Sequence, residues 1–322
     1  MLNLNRVGIL ISSLALIFLG HFGSSLSGLS QALGASPVKL DPAFGKAVAE
    51  CSSPASKTSK QHVWFFEQWH LAPDVVTKDT ENFVEPPQTK NQVAIYQQLD
   101  QWITAGQLRT IYAEGCMGEI SHGSKLKFNG WTLPDLEKIA KYPDYVRVMT
   151  SIPLKLEAKH GKNLSTLCGD DESLIKESNL AFSDARGTLG FILRLEQYRN
   201  DPTRAKNYLD GVVERFKLPK TTTVDQAIHM LKTELKSAVA RAQAGLEKRN
   251  QSLVQTIAKT LSKSKDTDIA VIFGGLHAAG VLKLLEEKGL GCTVVEPVGY
   301  PTDGKGTDAE LMKSLNEALA KL

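Results

Sequence analysis

The sequence predicts an α/β protein: a mostly parallel sheet flanked by helices, with a large helical insertion between strands. Three observations carry this. Short, continuous apolar runs of strand length recur along the chain, as buried parallel strands require. Segments with apolar residues every three or four positions alternate with them. Between two of the runs lies a long stretch, about 173–263, that is helical in pattern.

The elements follow in chain order. Residues 1–32 read as an export signal, with one positive charge at Arg6, a 14-residue apolar run over 7–20 and Ser30-Gln31-Ala32 as the cleavage region. The run is short of the ~20 residues a membrane span needs. No stable span is therefore expected after cleavage; the alternative is a retained N-terminal anchor. Residues 33–60 read as an irregular lead-in, and 61–322 as a single α/β domain. A strand over 63–66 ends in Glu67-Gln68-Trp69-His70, and a proline-punctuated loop spans 71–90. Residues 91–105 form an amphipathic helix closed by Gly106. A strand over 110–113 ends in Glu114-Gly115-Cys116, 117–131 is loop-like, and Thr132 caps a helix. A third strand, 165–168, precedes Gly169-Asp170-Asp171. The apolar stripe of 224–261 would be roughly 55–60 Å long as one helix at ~1.5 Å per residue, and a break is expected near Gly245. The strand 268–273 ends in Gly274-Gly275-Leu276-His277. A helix over 278–288, a strand over 293–295 and a helix capped by Thr307 and Glu310 complete the chain.

Composition narrows the function. With 322 residues, 42% hydrophobic and 23% charged, the chain is globular and has the length for a large core. A net charge of +3 is too mild to point to nucleic acid. All 4 cysteines lie beyond the signal, an even number that suits disulfides in an oxidising compartment. There is no CxxC pair, which excludes a zinc ribbon or thioredoxin-type motif. Cys51 and Cys292 both precede strands, and Cys116 and Cys168 both lie near strand C-termini, so the layout favours Cys51–Cys292 and Cys116–Cys168.

The chemistry gathers at strand ends. Glu67 and His70, Glu114, Asp170 with Asp171, and Gly274-x-x-His277 each follow an apolar strand at its carboxyl side. That is where ligand sites of open α/β sheets form. Any one of these residues has a bland role open to it: a solvated carboxylate, a helix cap or a tight turn. Four strand ends agreeing weigh more than each alone. Arg249 and Asn250 stand where the apolar stripe should continue. A buried arginine needs an acid, and Glu114 or Asp170 would serve; otherwise its stem snorkels to water.

The order strand–ExxH, strand–Glu, helix with Arg-Asn, strand–GGxH resembles the superfamily of TraB/GumN proteins, Tiki proteases, erythromycin esterases and ChaN-type haem-binding proteins. Arg249-Asn250 through Gly274-Gly275-x-His277 and Gly289 look most like the TraB/GumN/Tiki half, whereas Glu67 before His70, and Gly169-Asp170, are similar to the esterase branch. The resemblance covers roughly 63–297. It implies an exported hydrolase of an unidentified peptide or small ester. A divalent metal would sit on His70, Glu114, Asp170 and His277. Without metal, His70 is the base, held by Glu67 or Glu114, with Arg249 on an oxyanion and His277 completing the catalytic set. Trp69, Asn250, Gly274 and Gly275 would shape the binding surface. The alternatives are a non-enzymatic haem or metal binder, with His70 or an exposed Tyr112 as axial ligand, or an inactive fold member acting as a binding partner.

Overall fold

In a computed structural model the expected strands assemble into one mostly parallel sheet with one strand added to it, and a separate two-stranded ladder enters the stretch 117–131 expected as a loop. The structure describes residues 38–70, 87–117, 127–128, 152–153, 155–157 and 159–321, which belong to one compact unit. The expected signal over 1–32, most of the 71–90 loop, most of 117–131 and the helix expected from Thr132 lie outside these residues. The strands are β1 (Gly45–Glu50), β2 (His62–Gln68), β3 (Thr110–Ala113), β6 (Ser165–Cys168), β7 (Asp268–Gly274) and β8 (Gly291–Pro297). They form one sheet in the order β1-β8-β2-β7-β3-β6. All neighbours run parallel except β1, which pairs antiparallel with β8. A separate ladder joins β4 (Cys116–Met117) to β5 (Lys127–Phe128).

The addition is β1, with the short α1 (Pro54–Thr58), in the segment expected to be irregular. Its polar composition misled because an edge strand buries little: only Gly45 of its six residues is fully buried. Because β1 runs antiparallel, Cys51 at its end reaches the N-terminal side of the sheet. There it bridges Cys292, while Cys116 bridges Cys168 at the opposite side. Two disulfides are compatible with an exported protein. Among the described residues no helix is long and apolar enough to cross a membrane.

The central strands are covered on both faces, which is why their sequences are apolar throughout. Val63, Phe65, Val271 and Phe273 point to one face. There they pack against α5 (Val224–Leu261), through Leu253 and Ile257, and against α6 (Ala278–Glu287), through Val281 and Leu285. Phe66, Ala270 and Ile272 point to the other, against Ile95, Leu99 and Trp102 of α2 (Gln88–Thr104). A third cluster joins α3 (Glu172–Tyr198), α4 (Pro202–Phe216), the first half of α5 and α7 (Asp308–Lys321).

α5 is one continuous helix with no break at Gly245. A Cβ there would lie 3.3 Å from the Ser178 backbone, so the glycine lets α3 approach rather than ending a helix. At α7 the capping pattern is only partly as expected. Thr307 accepts from the Glu310 N–H, but the Glu310 carboxylate takes the N–H of Gly306 rather than that of Thr307.

The topology creates a crevice. β2 connects through α2 to β3, on the far side of β7, while β7 connects through α6 to β8, on the far side of β2. The two crossovers leave in opposite directions and cover opposite faces. Between the carboxyl ends of β2 and β7 the chain therefore parts, and this is the switch point where open α/β sheets bind ligands.

Candidate functional site

At that switch point Glu114 is the hub. It follows β3, and its N–H donates to Ile272 O of β7, which fixes where the side chain starts. Its Oε2 accepts from the Gly274 N–H (2.5 Å) and lies 3.1 Å from His70 Nε2. Its Oε1 accepts from Arg249 Nη2 (2.8 Å) and lies 3.3 Å from His277 Nε2. One carboxylate thus joins the ends of β2, β3 and β7 to α5. Burial pushes its carboxyl up, but the charges of His70, His277 and Arg249 outweigh this and hold it well below the usual range.

Arg249 is 8% exposed and pairs with both expected acids. Its Nε and Nη2 donate to the two oxygens of Asp170 at 2.8 and 2.9 Å, a bidentate contact. The interruption in the stripe of α5 is therefore a designed turn of the helix, aimed over the strand ends. The two adjacent aspartates divide the work. Asp171 caps α3 by accepting from the Ser173 and Leu174 N–H groups, while Asp170 holds Arg249 and accepts from the Gly115 N–H.

The two histidines differ. His277 is buried in the turn Gly275–His277 that opens α6. Its Nδ1 lies 2.6 Å from Asn250 Oδ1, and its ring meets Phe273 edge-on. The Asn250 amide has room only because residue 280 is glycine: a Cβ there would lie 2.3 Å from Nδ2. His70 keeps 40% of its side chain exposed and stands at the mouth of the site. Burial pushes the imidazole pKa down, but the Glu114 carboxylate beside it more than reverses this, and the net direction is up.

Glu67 occupies the other side of the paired glycines. A Cβ on Gly274 would lie 2.7 Å from His70 Nε2. One on Gly275 would lie 2.0 Å from Tyr300 Oη and 3.2 Å from Glu67 Oε1. The glycines are thus the floor on which four polar groups meet. Burial, and then the Glu296 carboxylate, push the Glu67 carboxyl up to about 7. Trp69 is a fastening residue. Its N–H donates to Asn91 Oδ1, its indole N–H to Gly306 O, and its carbonyl accepts from Gln92 Nε2.

Asn91, Gln92, Gly280 and Tyr300 escaped the sequence reading. Tyr300 had a signal, since it follows β8 as the other site residues follow their strands. Tyr112 is corrected: it is fully buried, its hydroxyl paired with Thr260 Oγ1 at 2.7 Å, so it offers no ligand to haem.

In the set expected to hold a divalent metal, His70, Glu114, Asp170 and His277, the carboxylates are already engaged. Both Glu114 oxygens and both Asp170 oxygens face N–H donors, and a guanidinium fills the space between the carboxylates. Among the described residues no group of three or more His, Cys, Asp or Glu is arranged to hold a metal ion. The residues as placed do not fit a divalent cation. Comparison with protein-family models, characterised proteins and solved structures finds no match.

Proposed function

We propose that the chain is a periplasmic or secreted hydrolase of a peptide or small ester, with His70 as general base. The observation that carries this reading is His70 Nε2 held 3.1 Å from a buried carboxylate, at the switch point and at the exposed mouth of the site. Glu114 orients the ring and raises its basicity, so Nδ1 takes the proton of a water as that water's oxygen attacks the carbonyl carbon. The tetrahedral intermediate then collapses, and the leaving group departs with the proton from His70. Arg249 is a positioning residue in this scheme. The two nitrogens it directs into the site serve Asp170 and Glu114, and it acts on His70 through Glu114. The motif order that resembles TraB/GumN, Tiki and erythromycin-esterase proteins supports the same class, and the departure from the metal set favours the esterase-like branch.

The test is turnover of p-nitrophenyl acetate and of a fluorescein-labelled casein by the purified chain lacking residues 1–32, with and without a chelator. Chelator-resistant turnover is expected, falling roughly 100-fold or more in His70→Ala. Absence of turnover above buffer with both probes, or a His70→Ala variant as active as the parent, overturns the reading.

A further inference from the structure

Hydrolysis by a general base leaves one need unmet: a donor for the oxygen on which negative charge develops. Such donors contribute heavily when fixed in place before the reaction. Arg249 was the expected donor, but its Nε and Nη2 hold Asp170 and Glu114. A different group stands on the same glycine floor.

Tyr300 follows β8, a fifth strand end converging on the site. Its turn is built: the Tyr300 N–H donates to Pro297 O, and Gly299 at φ +89° lets the backbone lie against Lys90 and Asn91 of α2. Asn91 in turn holds the Trp69 N–H and the Glu67 carbonyl. The phenol is therefore positioned by the element that positions the end of β2. Its hydroxyl lies over Gly275, beside Glu67 Oε1. Among the described residues no hydrogen-bond partner takes this hydroxyl, in contrast to Tyr112, whose hydroxyl is satisfied within the core. Burial, then the Glu67, Asp308 and Glu296 carboxylates, push the phenol pKa up, so the group keeps its proton and remains a donor; Glu67, raised to about 7, is itself neutral below that pH, where the site best accepts a developing negative charge.

We infer that Tyr300 is a catalytic residue of this site: its hydroxyl donates a hydrogen bond to the substrate oxygen that becomes an oxyanion, across the Gly274-Gly275 turn from His70. The inference rests on the hydrolase reading above. The tyrosine proton is shared and not transferred. The water's proton goes to His70, the carbonyl π pair moves onto the oxygen held by Tyr300, and collapse returns that pair as the bond to the leaving group breaks.

The experiment measures kcat and KM for p-nitrophenyl acetate and labelled casein in the parent, Tyr300→Phe, Gly275→Ala and the double variant. Tyr300→Phe removes one oxygen and keeps the ring, so thermal melting should be little changed. A fall of roughly 100-fold in kcat with KM within a few-fold is expected. Gly275→Ala places a methyl where the hydroxyl lies, and should lower kcat similarly. In the Tyr300→Phe background the same alanine should cost much less, because the two changes remove one interaction. A purely structural tyrosine would lower melting temperature and leave kcat within about two-fold, and that result overturns the inference while the hydrolase reading stands. Fully additive losses in kcat overturn it as well. If the parent turns over neither probe, the hydrolase reading falls and this inference falls with it.

Discussion

Arg249 offers the sharpest test of how the site is held. Replacing it by Met keeps the length of the side chain and removes the charge. Asp170, whose side chain has no exposure, then keeps the Gly115 N–H, and Glu114, 11% exposed, keeps the Gly274 N–H and the two imidazoles. Removing one partner from a buried ion pair costs about 3–5 kcal/mol, because the other charge is left uncompensated. The surviving donors place the expected loss near the lower end, about 3 kcal/mol. With a urea slope near 3 kcal/mol/M, this moves the unfolding midpoint down by about 1 M. The pH dependence has a definite sign. The Glu114 carboxyl is lowered in the folded state, so the stability it contributes is present above its unfolded value of 4.5. It is lost as pH falls through the folded value. The gap between parent and Arg249→Met should therefore be widest above pH 4.5 and shrink in acid. Urea unfolding at pH 7 and at pH 3, followed by far-UV circular dichroism, measures both. A loss under about 1 kcal/mol at pH 7, or a gap that does not shrink at pH 3, refutes the view of Arg249 as the clamp on two buried carboxylates.

Two further predictions concern other parts of the site. Glu67 has its carboxyl raised to about 7, so the stability it contributes is full below 4.5 and is lost as pH rises through 7. Glu67→Gln, always neutral, should raise stability at pH 8 by about 1–2 kcal/mol once solvent screening is discounted, and by nothing at pH 4. Equal effects on the melting temperature at the two pH values would contradict this. Gly280→Ala should destabilise by about 1–3 kcal/mol, because its methyl meets the Asn250 amide. Asn250→Ala in the same chain should recover part of that loss, and a simple sum of the two losses in chemical denaturation would show that the amide is not what Gly280 accommodates.

Much of this architecture could be read from the chain. The strands over 63–66, 110–113, 165–168 and 268–273 lie within or coincide with those observed, because strands buried on both faces leave continuous apolar runs. The pair Arg249-Asn250 was visible as an interruption in an otherwise regular stripe, and both side chains are buried over the strand ends. What escaped detection left no periodic trace. β1 alternates too weakly, since an edge strand has little to bury. Gly245 reads as a break when its role is a close approach between helices, a three-dimensional fact with no local signature. Asn91 and Gln92 look like ordinary helix residues, yet they hold the end of β2 across a sequence gap of more than 20 residues. Tyr112 sits on a short strand whose sequence does not show which face is covered; it lies on the face under α5, where Thr260 takes its hydroxyl.

The central claim is that the Glu114 carboxylate gives His70 its basicity, and an NMR titration of the His70 ring tests it without knowledge of any substrate. In the parent the ring should titrate above its ordinary value of 6.5, because Glu114 outweighs burial. In Glu114→Gln only the Asp308 carboxylate still opposes burial and the Arg249 charge, so the same resonance should titrate well below that of the parent. Identical titrations in the two proteins would contradict the account.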